Sequence, residues 1–303
     1  NAPEPVPARR LLGLADHHGG RPGTAPFVGR RAEIGAAVAG LDTAIGGHGA
    51  VVALVGPPGI GKSRITREVA AVAASRGVDV FWTFCQSHTS EVPFGAATEL
   101  LRSFFGVVGQ PPERARAATR SALPTADHED LRLLDEMLGI GGEQPAAIDI
   151  DPDARKRRLT ALLDSALLSR RDPAVYVVED AHWIDGVSEA MLSDFLAAVS
   201  GSAALVLITH RPEYAGELTS TATSTIQLGP LSDDTSSELV TSLLGTDPSV
   251  AGLASRIVER DGCSTVSAAP TPASGAPTSP FPPPFRPPSP PASIASDPRP
   301  NGL

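Results

Sequence analysis

The sequence predicts an α/β fold: a five-stranded, mainly parallel sheet sandwiched by helices. Three observations predict it. Short runs rich in Val, Ile and Leu alternate with longer stretches of helical periodicity. A glycine-rich turn joins the first of those runs to a helix. Gly and Pro clusters crowd both ends and leave a regular body from about Pro26 to Gly262.

Residues 1–25 read as an interdomain-type linker, because Glu4-Pro-Val-Pro7 and Gly19-Gly-Arg-Pro-Gly23 favour extended and turn conformations. A helix is expected over Ala32–Ile45 and a wholly apolar strand over Ala50–Val55. Helix Arg64–Ser75, strand Val78–Phe84 and helix Pro93–Phe105 follow. The stretch 107–149 breaks the alternation and reads as a helical insertion, with one helix around Glu129–Leu138 and a turn at Gly139–Gly142. The pattern resumes with helix Asp153–Leu168, strand Ala174–Val178, helix Val187–Val199 and strands Ala204–Thr209 and Thr225–Leu228. Alternation of this kind favours parallel strands with helical crossovers. A partial helical lid is expected over about 231–262. Beyond it, residues 263–303 hold Phe281-Pro-Pro-Pro-Phe-Arg-Pro-Pro-Ser-Pro-Pro291, which neither helix nor sheet accepts. That segment reads as a disordered Pro/Ser-rich tail with some polyproline II character. The abrupt change at Cys263 raises the expectation of a truncation or a change of reading frame.

Composition excludes several functions. Lys plus Arg is 25 against 34 Asp plus Glu, a net charge of −9, so nucleic acid is not expected as a partner. Two cysteines, Cys85 and Cys263, cannot form a disulfide framework or a dense metal site. No apolar run approaches the roughly 18 residues of a membrane helix. The first residues lack a basic-then-apolar signal pattern. A soluble, cytoplasmic chain with no membrane partner is expected.

The chemistry gathers at Gly56-Pro-Pro-Gly-Ile-Gly-Lys-Ser63, a complete G-x-x-x-x-G-K-[ST] motif between an apolar strand and a helix. Gly56, Gly59 and Gly61 let the backbone turn tightly enough for its N–H groups to face phosphates. The helix N-terminus adds partial positive charge there. Lys62 is expected to reach the β- and γ-phosphates and Ser63 to ligate Mg²⁺. Pro57, Pro58, Ile60 and Arg64 complete the candidate nucleotide-binding loop. The fold is therefore expected to be a P-loop NTPase.

A phosphate loop alone requires only a nucleotide. Hydrolysis also needs an acid on a nearby strand, and Ala174-Val-Tyr-Val-Val-Glu-Asp180 ends in two. Neighbouring side chains of a strand point opposite ways, so the two acids need different roles. Glu179 is assigned to Mg²⁺ and Asp180 to the attacking water, with the reverse assignment open. His182 and Trp183 follow, either packed beneath the loop or sensing the nucleotide, and Asp185 reads as an N-cap. The strand Leu205-Val-Leu-Ile-Thr-His-Arg211 should lie between the P-loop strand and the acidic one. Its tip offers Thr209 to water or phosphate and Arg211 to the γ-phosphate, with a turn residue and a surface Arg as the plain alternative. Ahead of the first strand, Val28, Gly29 and Arg30 are placed to close over adenine, Arg30 meeting either the nucleotide or a neighbouring acid.

Together these residues resemble the AAA-related ATPase module of large bacterial signalling proteins, within the signal-transduction NTPases with numerous domains (STAND). Phe27-Val-Gly-Arg-Arg-Ala-Glu-Ile34 resembles its entry box, Gly56–Ser63 its Walker A and Val175–Asp185 its Walker B. Leu207–Glu213 resembles its sensor strand, and Ile226-Gln-Leu-Gly-Pro-Leu-Ser232 its link to a helical lid. The likeness implies ATP and Mg²⁺ as ligands, slow hydrolysis and a nucleotide-dependent switch. The opening segment is more similar to the link after class III adenylate or guanylate cyclase domains than to LuxR-type regulators. No cyclase catalytic domain is expected in these residues. Self-association or a regulatory protein partner stays open, as do a non-hydrolysing scaffold and a non-functional fragment.

Overall fold

The computed structural model describes residues 27–141 and 150–244. The linker 1–25, Gly142, the far part of the expected lid and the tail 263–303 lie outside the described residues.

Five strands form one parallel sheet: β1 (Ala50–Val55), β2 (Asp79–Phe84), β3 (Ala174–Glu179), β4 (Ala204–His210) and β5 (Ser224–Gln227). Their order across the sheet is β2-β3-β4-β1-β5, so β4 lies between the P-loop strand and the acidic strand as expected. The registers bring the tips together: Val55 sits opposite His210, and Val178 opposite Ile208. Every residue of β1, β3 and β4 is buried, the pattern of central strands covered on both faces.

Side-chain alternation along those strands feeds two cores. Val52, Leu54, Val175, Val177, Leu205 and Leu207 pack beneath α1 (Arg31–Ile45) and α2 (Lys62–Ser75), whose Ala37, Leu41, Ile65 and Val69 face the sheet. Tyr176, Val178, Val206 and Ile208 point the other way. They meet α3 (Gly95–Phe105), α6 (Pro152–Leu168) and α7 (Gly186–Ala198), with α5 (His128–Leu138) packed on the same cluster. Tyr176 centres this second layer, stacked 5.5 Å from Phe81 and edge-on 5.4 Å from Phe195, with its hydroxyl donating to the Leu167 carbonyl at 3.2 Å.

Helix ends follow local chemistry where a cap is present. Asp127 accepts from Glu129 N, and Asp151 from Ala154 N with Pro152 opening the helix. Helix α3 begins at Gly95, two residues after the expected Pro93, because Phe94 is left-handed (φ 66°). The insertion holds a second helix that the sequence reading lacked, α4 (Pro112–Ala122). Its Ala- and Arg-rich turns carry no large apolar stripe. Ion pairs from Arg116 (3.4 Å) and Arg120 (2.9 Å) fasten it to Asp135 of α5.

On β2, two of the N–H groups facing away from β3 are taken by α3: Trp82 N donates to Ser103 Oγ at 3.0 Å, and Phe84 N to Glu99 Oε2 at 2.9 Å. The described part of the expected lid is α8 (Asp233–Leu244).

Candidate functional site

The chain leaves β1 at Val55 and turns through Gly56–Gly61 into α2, which starts at Lys62 rather than at the expected Arg64. A Cβ on Gly56 would lie 2.8 Å from Ile60 Cγ2 and 3.2 Å from the Leu228 carbonyl oxygen, so close approach demands glycine there. Gly61 has open space around it but a φ of +102°, so its requirement is conformational. Pro57, Pro58 and Gly59 are exposed at the loop's crest, and Ile60 is buried beneath it.

Lys62 is buried, and its ammonium donates to the loop's own carbonyls, Gly56 O at 2.9 Å and Pro57 O at 3.0 Å. Burial pushes its pKa below the usual lysine value; Asp180 opposes that shift and Arg211 adds to it. Arg64 lies over the Phe27 ring at 5.7 Å and pairs with Glu68 at 2.8 Å.

Glu179, 2% exposed, is the hub. Its Oε2 accepts from Ser63 Oγ and from Thr209 Oγ1, each at 2.8 Å, and its Oε1 accepts from Thr66 Oγ1. Three elements thus meet on one carboxylate: α2, β3 and β4. Asp180 diverges as the strand alternation requires. It is left-handed (φ 54°), and its side chain is 48% exposed. Thr209 is fully buried, and its hydroxyl also accepts from Asp180 N at 2.8 Å. That hydroxyl is turned into the protein, toward the two acids, and not outward to solvent.

His182 packs. Its side chain is 8% exposed, its Nδ1 stands 4.0 Å from Asp180 Oδ1, and its ring lies 5.2 Å from Trp183. Neither ring nitrogen has a hydrogen-bond partner among the described residues. Burial holds its pKa below the usual histidine value, which keeps the ring neutral at pH 7. Arg211 lies over the other side of this group, 5.6 Å from the Trp183 ring and 3.9 Å from Glu213.

The entry segment is fastened elsewhere. Arg30, left-handed at φ 58°, donates to Glu33 Oε1 at 3.0 Å and to the Gly229 carbonyl at 2.5 Å. A Cβ on Gly29 would fall 2.6 Å from Thr235 Cγ2. Gly29 and Arg30 therefore meet α8 and the segment that leads into it, and Arg30 takes a neighbouring acid.

Ser63 and Glu179 suit Mg²⁺, a hard ion that takes one or two protein oxygens and completes its octahedron with phosphates and water. They are two oxygen donors already in contact beside the phosphate loop. No cluster of three or more His, Cys, Asp or Glu able to hold a metal lies among the described residues, so the site supplies few ligands of its own. Thr66 and the inward turn of Thr209 were missed from sequence. A hydroxyl three residues past the motif's serine was the available signal for Thr66.

A model of the AAA ATPase domain matches residues 26–208. An uncharacterised protein of Rhizobium meliloti (strain 1021) is 31% identical over 215 residues, which is 69% of this chain and 21% of that protein. The chain thus spans about a fifth of that relative. Orc1 of Aeropyrum pernix in complex with DNA is similar in fold, with a TM-score of 0.44, 16% identity and coverage of 79% of this chain and 57% of that one. ORC of Drosophila bound to DNA gives 0.46, 14%, 81% and 56% on the same measures. The expectation that excluded nucleic acid is not kept: the two structures similar in fold are complexes with DNA, which is said of those proteins and not of this chain. Net charge sums over the whole chain, whereas binding answers to local fields. This acidic chain exposes Arg114, Arg132 and Arg157 on its helical insertion and on α6. No helix among the described residues is long and apolar enough to cross a membrane.

Proposed function

The chain belongs to the AAA ATPase domain family, and we propose that it binds ATP with Mg²⁺, hydrolyses it slowly and uses the cycle as a conformational switch. The observation that carries this reading is the meeting of Ser63, Glu179 and Thr209 at the adjoining tips of α2, β3 and β4.

In this reading the loop N–H groups and α2's N-terminus bind the phosphates. Lys62 exchanges its two backbone carbonyls for phosphate oxygens and stabilises the charge that develops on them. Ser63 and Glu179 hold Mg²⁺, which when bound neutralises phosphate charge. Asp180, accessible and beside the loop, orients the attacking water and takes its proton as the γ-phosphoryl group leaves ADP. Thr209 holds the Asp180 backbone and the Glu179 carboxylate in place. Arg211 leaves Trp183 to meet the γ-phosphate. Val28, Gly29 and Arg30 border the adenine, and their contacts with Gly229 and Thr235 carry the nucleotide state toward α8. The match to a fifth of a much longer relative supports a module that works beside other domains. The resemblance of its opening segment favours a cyclase-associated signalling protein.

Calorimetric titration with ATP and Mg²⁺ tests the reading, with Lys62→Ala as control. Saturable binding is expected in the wild type and not in the variant. Phosphate release should fall by about 10²-fold or more in Asp180→Asn. Binding with equal background release in both proteins would instead identify a non-hydrolysing scaffold.

A further inference from the structure

One hydrogen bond to Glu179 has no part in the chemistry above. Thr66 is fully buried on α2, and its hydroxyl donates to Glu179 Oε1. It stands one helical turn beyond Ser63, so both hydroxyls lie on the same side of the helix. They divide the carboxylate between them. Ser63 takes Oε2 at 2.8 Å and Thr66 takes Oε1, while Thr209 holds Oε2 from β4 at 2.8 Å.

This division matters once Ser63 changes partner. Its hydroxyl is bonded directly to Glu179, so a serine that turns to a metal takes a donor away from Oε2. Thr209 still restrains that oxygen. Thr66 restrains the other, and two fixed oxygens define the plane of the carboxylate where one does not. We propose that Thr66 is a positioning residue that sets the rotation of the Glu179 carboxylate, so that Oε2 stays turned toward Ser63 when Mg²⁺ enters with the nucleotide. The inference rests on the ATP and Mg²⁺ reading of the site.

The test is calorimetric ATP binding by the full chain, with and without Mg²⁺ and with Ca²⁺ in its place. The proteins compared are the wild type, Thr66→Val, which keeps the volume and loses the donor, and Thr66→Ser, which keeps the donor. Metal-free ATP affinity should agree within about twofold across all three, since the one backbone atom of the motif that the Thr66 hydroxyl meets is the Ser63 carbonyl, at 3.1 Å, whereas phosphate is bound by N–H groups. The gain on adding Mg²⁺ should fall by about tenfold or more in Thr66→Val and return in Thr66→Ser. Preference for Mg²⁺ over Ca²⁺ should fall with it, because a freely rotating carboxylate suits the less exacting ion. Thr66→Val with the full Mg²⁺ gain overturns the proposal, and so does Thr66→Ser without it. If circular dichroism shows Thr66→Val unfolded, Thr66→Cys replaces it; its weak donor should lose most of the gain, and a full gain overturns the proposal. A wild type that binds no ATP overturns the reading of the site itself, a result distinct from a wild type that binds and a valine variant that matches it.

Discussion

Glu179 and Asp180 are neighbours with opposite surroundings, one almost wholly buried and bound by three hydroxyls, the other half open to solvent. Motif spacing was enough to name both acids and to expect them on opposite sides of the chain. It could not show which hydroxyl meets which carboxylate oxygen, since that depends on the registers of β3 and β4. Thr209 illustrates the difference: its place at a strand tip was legible, but its inward hydroxyl was not. Thr209→Val leaves Glu179 Oε2 and Asp180 N each one partner short, so a loss of about 1–3 kcal/mol is expected in urea unfolding. A second residue prediction concerns Asp164. Burial, with Asp194 nearby, raises its pKa to about 6. The unfolded carboxyl titrates near about 3.9, so the native state binds the extra proton between those values and stability falls as pH rises through that window. Asp164→Asn should remove that slope and raise Tm at pH 7, measured by thermal unfolding from pH 4 to 7.

Asp185 shows what an element owes to residues far away in sequence. It was legible as the N-cap of α7, and it does accept from Ser188 N at 2.9 Å. The same carboxylate also takes Phe94 N at 3.0 Å and Ala96 N at 3.3 Å, so it caps α3 across the fold. No local pattern near residue 94 encodes that, and the start of α3 was misplaced for this reason. Asp185→Ala should therefore cost about 3 kcal/mol in guanidinium unfolding, against about 1 kcal/mol for an ordinary cap. Helix α4 escaped the sequence reading because its hold on the body is ionic more than apolar. Asp135→Ala removes the shared partner of Arg116 and Arg120. Amide exchange over Pro112–Ala122 should accelerate while global stability changes by only about 1 kcal/mol, as half-exposed pairs allow.

At the level of the molecule, all five strands and the place of β4 were legible, because three strands buried on both faces leave nearly unbroken apolar runs. Net charge was too coarse a ground on which to exclude nucleic acid, because a charge total does not describe a surface. The side chains that α3 lends to β2 have a further consequence. An outermost strand with free N–H groups is a template on which a second chain can add a strand, the first step toward fibrils. Ser103 and Glu99 occupy two of those groups, so α3 acts as a built-in safeguard of solubility. Replacing both with alanine should leave folding largely intact yet make the protein precipitate with concentration, which light scattering and thioflavin fluorescence would register.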